Sequence, residues 1–305
     1  MGLDAHVLQF CKYVGKKKTF GDTITIGRQG VHVVRSLLGR ILENPDDPKE
    51  KKFCEPLLQK YFGATSVVSI DYSDYENATL IHDLNREIPE SLQGRFDTVL
   101  DAGTLEHIYQ IPQALRNISL FLRPGGQILH ALPANNFCGH GFWQFSPELF
   151  LSLYSETNGY AETEVFLADL GDIERVYQVR KPSQGKRVNV LSCRELYVLV
   201  RTVLTKSNFT HHHVQQSDYL HLWEQDHKST QNNEFNRSRP SNDWLEQLKN
   251  LRPLYRAYLN LKQYKLFYKL SYDLLLVSKR SADRLSKRNP WLKSKYWEDL
   301  SHNPE

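Results

Sequence analysis

The stretch from Arg95 to Phe150 limits the possible folds of this chain more than any other. Phe96-Asp97-Thr98-Val99-Leu100-Asp101 is a short apolar and β-branched run, the pattern of a strand buried on both faces. From Ile111 the apolar residues recur at helical spacing: Ile111, Ala114, Leu115, Ile118 and Leu122. Arg123-Pro124-Gly125-Gly126 ends that helix, because proline cannot continue it and glycine accepts positive φ. Gln127 to Leu132 reads as the next strand. Two strands joined by a crossover helix form a parallel pair in an α/β sheet. Ligands of such sheets sit at the carboxyl ends of the strands. Here those ends carry Asp101-Ala102-Gly103-Thr104-Leu105-Glu106-His107 and Pro133-Ala134-Asn135-Asn136.

The rest of the chain extends the pattern. Residues 1–20 predict a lead-in helix with Val7, Leu8, Phe10, Cys11 and Val14 on its apolar side. Thr23 to Ile26 predicts a strand ending at Gly27-Arg28-Gln29-Gly30. After an Asn44–Lys49 loop, Lys51 to Tyr61 predicts a helix closed by Gly63. Ser66 to Ile70, ending in Asp71, and Ala78 to Ile81, ending in His82-Asp83-Leu84-Asn85, predict two more strands. Ser146 is a candidate N-cap for a helix with Pro147 at its first position. Thr163 to Ala168 and Glu195 to Leu204 predict the closing strands, with a hairpin excursion between them. Lys206 to Ser241 is polar and rich in His, Gln, Asn and Ser, and reads as a linker. Asp243 to Leu300 reads as helical. The organisation expected is a domain over 1–206, a polar linker over 207–242 and a basic, aromatic-rich helical extension over 243–305.

Charge separates these parts. The chain of 305 residues carries a net charge of +4, yet Arg252 to Lys295 alone holds twelve Lys/Arg against two Asp. The basic balance therefore belongs to the C-terminal part. Its mix of Tyr, Leu and Lys/Arg suits packing on the domain or on a second protomer, or contact with an anionic membrane surface. Nucleic acid is disfavoured, since no recognition motif accompanies the charge. Cys11, Cys54, Cys138 and Cys193 form no CxxC pair and read as free thiols of a reducing compartment. With no signal peptide evident and no apolar run near the ~20 residues a membrane span needs, the expectation is a cytoplasmic protein.

The order β-α-β, β, β-α-PGG-β, helix and two closing strands resembles the class I S-adenosylmethionine-dependent methyltransferases, over roughly residues 20–205. The resemblance implies a Rossmann-like, doubly wound α/β sheet, mostly parallel with an antiparallel last strand. It implies S-adenosylmethionine as cofactor. Asp71 stands where the family binds the ribose hydroxyls. Asp83, with Leu84, stands where the adenine is met, although Asp-Leu-Asn is also a turn-forming sequence. Asp101, Gly103 and Thr104 would form the rim after the fourth strand. Gly27 matches the family's first glycine loop, but Arg28-Gln29 replaces its small residues; Arg28 would suit the carboxylate of the cofactor. The spacing from Gly27 to Asp71 also exceeds the ~20 residues of a typical first β-α-β unit. PANNFCGHGFWQFSPELF is similar to a bacterial sub-group linked to glycan or surface-polymer synthesis.

On the acceptor side, His107 and His140 are candidates for proton transfer, the latter between two glycines that let the loop present its ring. Asn135, Asn136, Trp143 and Gln144 are candidates to hold a polar, possibly glycan-linked acceptor. His211-His212-His213 lacks a partner at ligand spacing, and no metal is expected from it. Two functions follow: a methyltransferase acting on a polar acceptor, or an inactive methyltransferase-like scaffold that binds through its basic C-terminal helices.

Overall fold

The structure is a computed structural model that describes residues 2–42, 52–181, 194–212, 214–216 and 292–297. Nine strands form one sheet: β1 (Gly21–Ile26), β2 (Ala64–Asp71), β3 (Leu80–Ile81), β4 (Phe96–Asp101), β5 (Leu122–Asn135), β6 (Tyr160–Asp169), β7 (Arg175–Val179), β8 (Leu196–Leu204) and β9 (Leu292–Tyr296). Their spatial order is β3-β2-β1-β4-β5-β8-β6-β7-β9. The first five run parallel. β8 runs antiparallel to β5, and each later neighbour alternates in direction. The helices are α1 (Ala5–Lys17), α2 (Arg35–Ile41), α3 (Glu55–Phe62), α4 (Ile111–Phe121) and α5 (Pro147–Leu153). This is the expected Rossmann-like arrangement, with β8 as the antiparallel strand. None of the described helices is long and apolar enough to cross a membrane.

Strand alternation divides the core in two. Val99 and Ile128 belong to one cluster with Ile118, Phe121 and Phe150. Their neighbours Leu100 and Leu129 belong to the other, with Leu8, Phe10, Leu58 and Phe166. Successive side chains point to opposite faces, so a continuous apolar run buries both. Local signals behave as their chemistry requires. Asp4 caps α1 by accepting from the backbone of His6 and Val7. Gly63 ends α3 in the left-handed region. Ser146 accepts from the backbone N–H of Glu148 at the start of α5. The RPGG turn is an excursion within β5: Leu122 pairs with Phe96 and Gln127 with Thr98, leaving Arg123–Gly126 outside the ladder.

The register matters most for function. Ile26 lies opposite both Ile70 and Asp101. The loops after β1, β2 and β4 therefore leave the sheet at one level. The long span from Gly27 to Asp71 accommodates two helices, α2 and α3.

Two regions differ from the sequence reading. The start of the expected linker lies on the domain: Phe209 and Val214 pack against the core, and Thr210 donates its backbone N–H to Asn158. His211 Nε2 is hydrogen-bonded with the Tyr160 hydroxyl at 2.9 Å. Polar composition concealed this, because the anchors are single residues. The helical expectation for 243–305 does not hold over Leu292–Tyr296, which forms β9 against the open edge of β7. Pairing satisfies that edge's backbone groups. Trp297 then inserts between Phe10, Tyr13 and Phe166, at ring distances of 6.2, 5.6 and 6.0 Å. The remainder of the linker and of the extension lies outside the described residues.

Two predictions follow from this packing. Trp297 is buried, so Trp297→Ala should lower unfolding free energy by about 3 kcal/mol in chemical denaturation. Burial, then the charges of Arg116 and His212, depresses His211 from 6.5 to about 4. Between those values the unfolded chain binds more protons than the folded one, so stability is full above pH 6.5 and is lost as pH falls toward 4. The melting temperature of the native protein should drop more steeply across that interval than that of His211→Gln.

Candidate active site

At the carboxyl ends of β1, β2 and β4 lies a cavity of about 350 Å³. Its lining includes Gly27, Arg28, Asp71, Asp83, Leu84, Gly103, Thr104 and His107. All eight were expected to be site residues from sequence. Gly27 sits at φ +73°, and a Cβ there would stand 2.6 Å from Thr104 Oγ1. Only glycine lets the β1 exit loop and the β4 exit loop come this close. Thr104 Oγ1 latches the two loops by donating to Ile26 O at 2.7 Å.

The carboxylates differ in their commitments. Asp71 accepts from the backbone N–H of Tyr72 at 2.7 Å and of Arg28 at 3.3 Å, which fixes its orientation at the cavity edge. Asp83 accepts from the side chain and backbone of Asn85, at 2.7 and 3.0 Å, and these bonds lower its pKa. Asp83 therefore forms the turn and lines the cavity at once.

Three expectations change. The Arg28 guanidinium donates to Glu55 at 2.8 Å and to the carbonyls of Glu76 and Asn77 at 2.7 and 2.8 Å, and stacks on Phe53. It braces the loop after β2 through Nε and Nη1 while remaining part of the cavity lining. Asp101 does not line the cavity. It is fully buried, accepting from the N–H groups of Thr104 and Leu105 at 3.1 and 3.4 Å and contacting His130 Nδ1 at 3.0 Å. His130 Nε2 in turn meets Tyr154 Oη at 2.7 Å. Asp101, His130 and Tyr154 thus form one buried polar chain, in which the tautomer of the ring sets donor and acceptor. Asn135 and Asn136 both donate to Arg194 O at 3.1 Å and are likewise away from the cavity lining.

The loop after β5 is pinned in place. Phe142 donates its N–H to Glu106 O at 2.7 Å, Trp143 Nε1 donates to Ile108 O at 2.9 Å, and Gln144 Oε1 accepts from Phe137 N at 2.9 Å. These bonds bring His140 beside His107, ring centroids 4.9 Å apart. Glu106 lies beneath them with no exposure; burial, then the charge of Asp101, raises its pKa to about 8. Burial, then His140, lowers that of His107.

The family comparison fits this geometry. Residues 49–226 match the family described as "Methyltransferase domain", more than half of the chain. The chain belongs to this family. It is a methyltransferase-domain protein. No curated protein matches it in sequence. Among solved structures, it is similar to a Thermotoga maritima S-adenosylmethionine-dependent methyltransferase, described as a possible histamine N-methyltransferase (14% identity, 66% of this chain and 92% of that one, TM-score 0.36). A putative methyltransferase of Bacillus halodurans shares 11% identity, over 65% of this chain and 99% of that one, at TM-score 0.38. The Burkholderia thailandensis 1,6-didemethyltoxoflavin-N1-methyltransferase shares 13%, over 66% and 79%, at TM-score 0.37.

Sequence reasoning missed several groups that the methyltransferase fold brings to the cavity. Gln29, Tyr72, His82, Asn85 and Ile108 line it, and His82 Nε2 is buried without a hydrogen-bond partner. A lone histidine after a two-residue strand carries no periodic signal. His130 and Tyr154 were equally silent, reading as ordinary members of a strand and a helix end. A second cavity, about 220 Å³ between α1, α2 and Trp297, contains none of the expected site residues.

Removing the sealed carboxylate tests its structural role. Asp101→Ala leaves a buried imidazole and two backbone N–H groups unpaired, and should cost about 3 kcal/mol of stability, measured by chemical denaturation.

Proposed function

We propose that the methyltransferase binds S-adenosylmethionine across the β1–β2–β4 cavity and transfers its methyl group to a small polar acceptor held near His107 and His140. The carrying observation is the convergence of Gly27, Asp71, Asp83, Leu84, Gly103 and Thr104 on one cavity of about 350 Å³, within the range of nucleotide-sized ligand sites. Asp71 would accept from the ribose hydroxyls, with its carboxylate already oriented by two backbone N–H groups. Leu84 and Ile108 would flank the adenine, and Asp83 would meet its amino group. Gly27 and the side chains of Thr104 and Gln29, which close around it, would lie beside the methionine portion. Asp71, Glu76 and Asp83 around the cavity favour a cationic ligand, and a sulfonium is one.

Methyl transfer from a sulfonium is an in-line displacement with a neutral leaving group, so alignment and exclusion of water carry most of the work. His107 and His140 are placed to handle the acceptor's proton, which contributes roughly 10²–10⁴-fold where a base is needed. Exposed Tyr109, Phe142 and Trp143 near this end would stack on a ring, which supports a ring-bearing acceptor such as a sugar. The scaffold reading gains nothing from Arg28: its side chain turns to Glu55 and leaves the hollow open.

Titration calorimetry with S-adenosylhomocysteine should show 1:1 binding. Asp71→Ala should weaken it by about 10–100-fold, as expected for losing charge-assisted bonds of roughly 1.5–3 kcal/mol. Equal affinity in the variant would place the nucleoside elsewhere.

A further inference from the structure

Glu106, His107 and His140 bring one carboxylate and two imidazoles together, with one ligand-capable atom from each lying within 4.8 Å of the others. His140 Nε2 stands 3.4 Å from Glu106 Oε1, and His107 Nε2 stands 3.9 Å from the same oxygen. Neither oxygen of Glu106 has a hydrogen-bond partner, nor has His140 Nε2. The Glu106 side chain is wholly buried. Buried carboxylates are ordinarily paired, because leaving both oxygens unsatisfied forfeits their hydration without return. Here both oxygens of Glu106 and the adjacent His140 Nε2 are buried without a hydrogen-bond partner, and a second imidazole, that of His107, stands beside them.

The surrounding chain holds this arrangement. Glu106 and His107 belong to the short turn Leu105–His107, fixed by Asp101 through the N–H of Leu105. His140 is presented by the pinned loop, where Phe142 N–H bonds Glu106 O. Gly141, at φ +70°, allows that contact: a Cβ there would lie 2.8 Å from Glu106 Cγ and from its carbonyl oxygen. The loop is thus fitted against Glu106 at backbone level.

The donor set selects among cations. Calcium and magnesium take oxygen ligands, whereas two imidazoles with one carboxylate suit zinc and its transition-metal neighbours. Donors about 2.1 Å from a tetrahedral ion stand about 3.4 Å apart, which is the His140–Glu106 spacing. His107 Nε2, at 3.9 Å from Glu106 Oε1 and with a half-exposed side chain, would have to move closer to both partners on binding the ion. His107 also lines the cofactor cavity, which puts this cluster at the edge of the cleft.

We propose that Glu106, His107 and His140 bind one divalent transition cation of the zinc class, whose open position takes an oxygen of the methyl acceptor. The acceptor half of this proposal rests on the donor-site reading above; the metal half stands by itself. A hydroxyl bound to the ion loses its proton to water at lower pH than a free one, so with the ion in place it is the ion, and not the ligating His107 and His140, that deals with the acceptor's proton. The oxygen then attacks the methyl carbon, the C–S bond breaks with its electron pair remaining on sulfur, and neutral S-adenosylhomocysteine leaves beside the methylated oxygen.

The test uses the untagged full chain, stripped with chelator and titrated with Zn²⁺ by calorimetry and with Co²⁺ by visible absorption. One equivalent should bind, with cobalt bands of low coordination number. His140→Ala, on a loop, and Glu106→Gln should each weaken Zn²⁺ at least tenfold, with folding checked by circular dichroism. His212→Ala/His213→Ala should not change it. Absence of saturable binding in the native chain overturns the proposal. So does binding that survives His140→Ala, or binding lost only with His212 and His213. S-adenosylhomocysteine is titrated in parallel: zinc binding without nucleoside binding leaves the metal site standing and removes the donor-site reading, and the reverse removes the metal site alone.

Discussion

A carboxylate sealed from water organises this molecule. Asp101 ends β4, and its two oxygens reach in different directions: one to the backbone N–H groups of Thr104 and Leu105, the other to His130 on β5. A carboxyl group with no exposure persists only where such partners surround it. That requirement fixes the turn immediately after the strand. Thr104 is then positioned to latch onto Ile26, and Glu106 and His107 are set against the loop after β5. The cavity floor and the histidine pair both descend from one buried carboxyl group and its neighbours.

The fold was largely legible from sequence because its signals are periodic or sterically exclusive. Ile111, Ala114, Leu115 and Ile118 recur at helical spacing and are buried together in α4. The Pro-Gly-Gly turn admits no helix, and Ser146 and Pro147 mark the start of α5. Gly27, Asp71, Asp83 and Thr104 were singled out by the resemblance to the methyltransferase family, which places such residues at strand ends, and all four line one cavity. What escaped was whatever depends on partners distant in the chain. Arg28 reads as an unpartnered cation until Glu55 and the carbonyls after β2 are seen around it. Asp101 reads like Asp71, a strand-end acid, until His130 shows that it faces inward. Asn135 and Asn136 read as acceptor ligands until Arg194 O takes both.

The same blindness covered the sheet's far edge. β7 leaves one side without a partner among the nearer strands, and residues more than a hundred positions later supply it. Composition pointed to helix there, since a basic, aromatic segment has no period that names its eventual neighbour. Trp297 closes the edge by filling the space between α1 and β6.

That closure gives the last described segment a structural duty. Near α5 the described chain is seated by Gln215 O, which receives the Ser152 hydroxyl, and at the opposite edge of the sheet by β9 on β7. Removing Leu292–Trp297 would therefore take away an edge strand together with the indole packed on α1 and β6, and would bare the backbone groups of β7 to solvent.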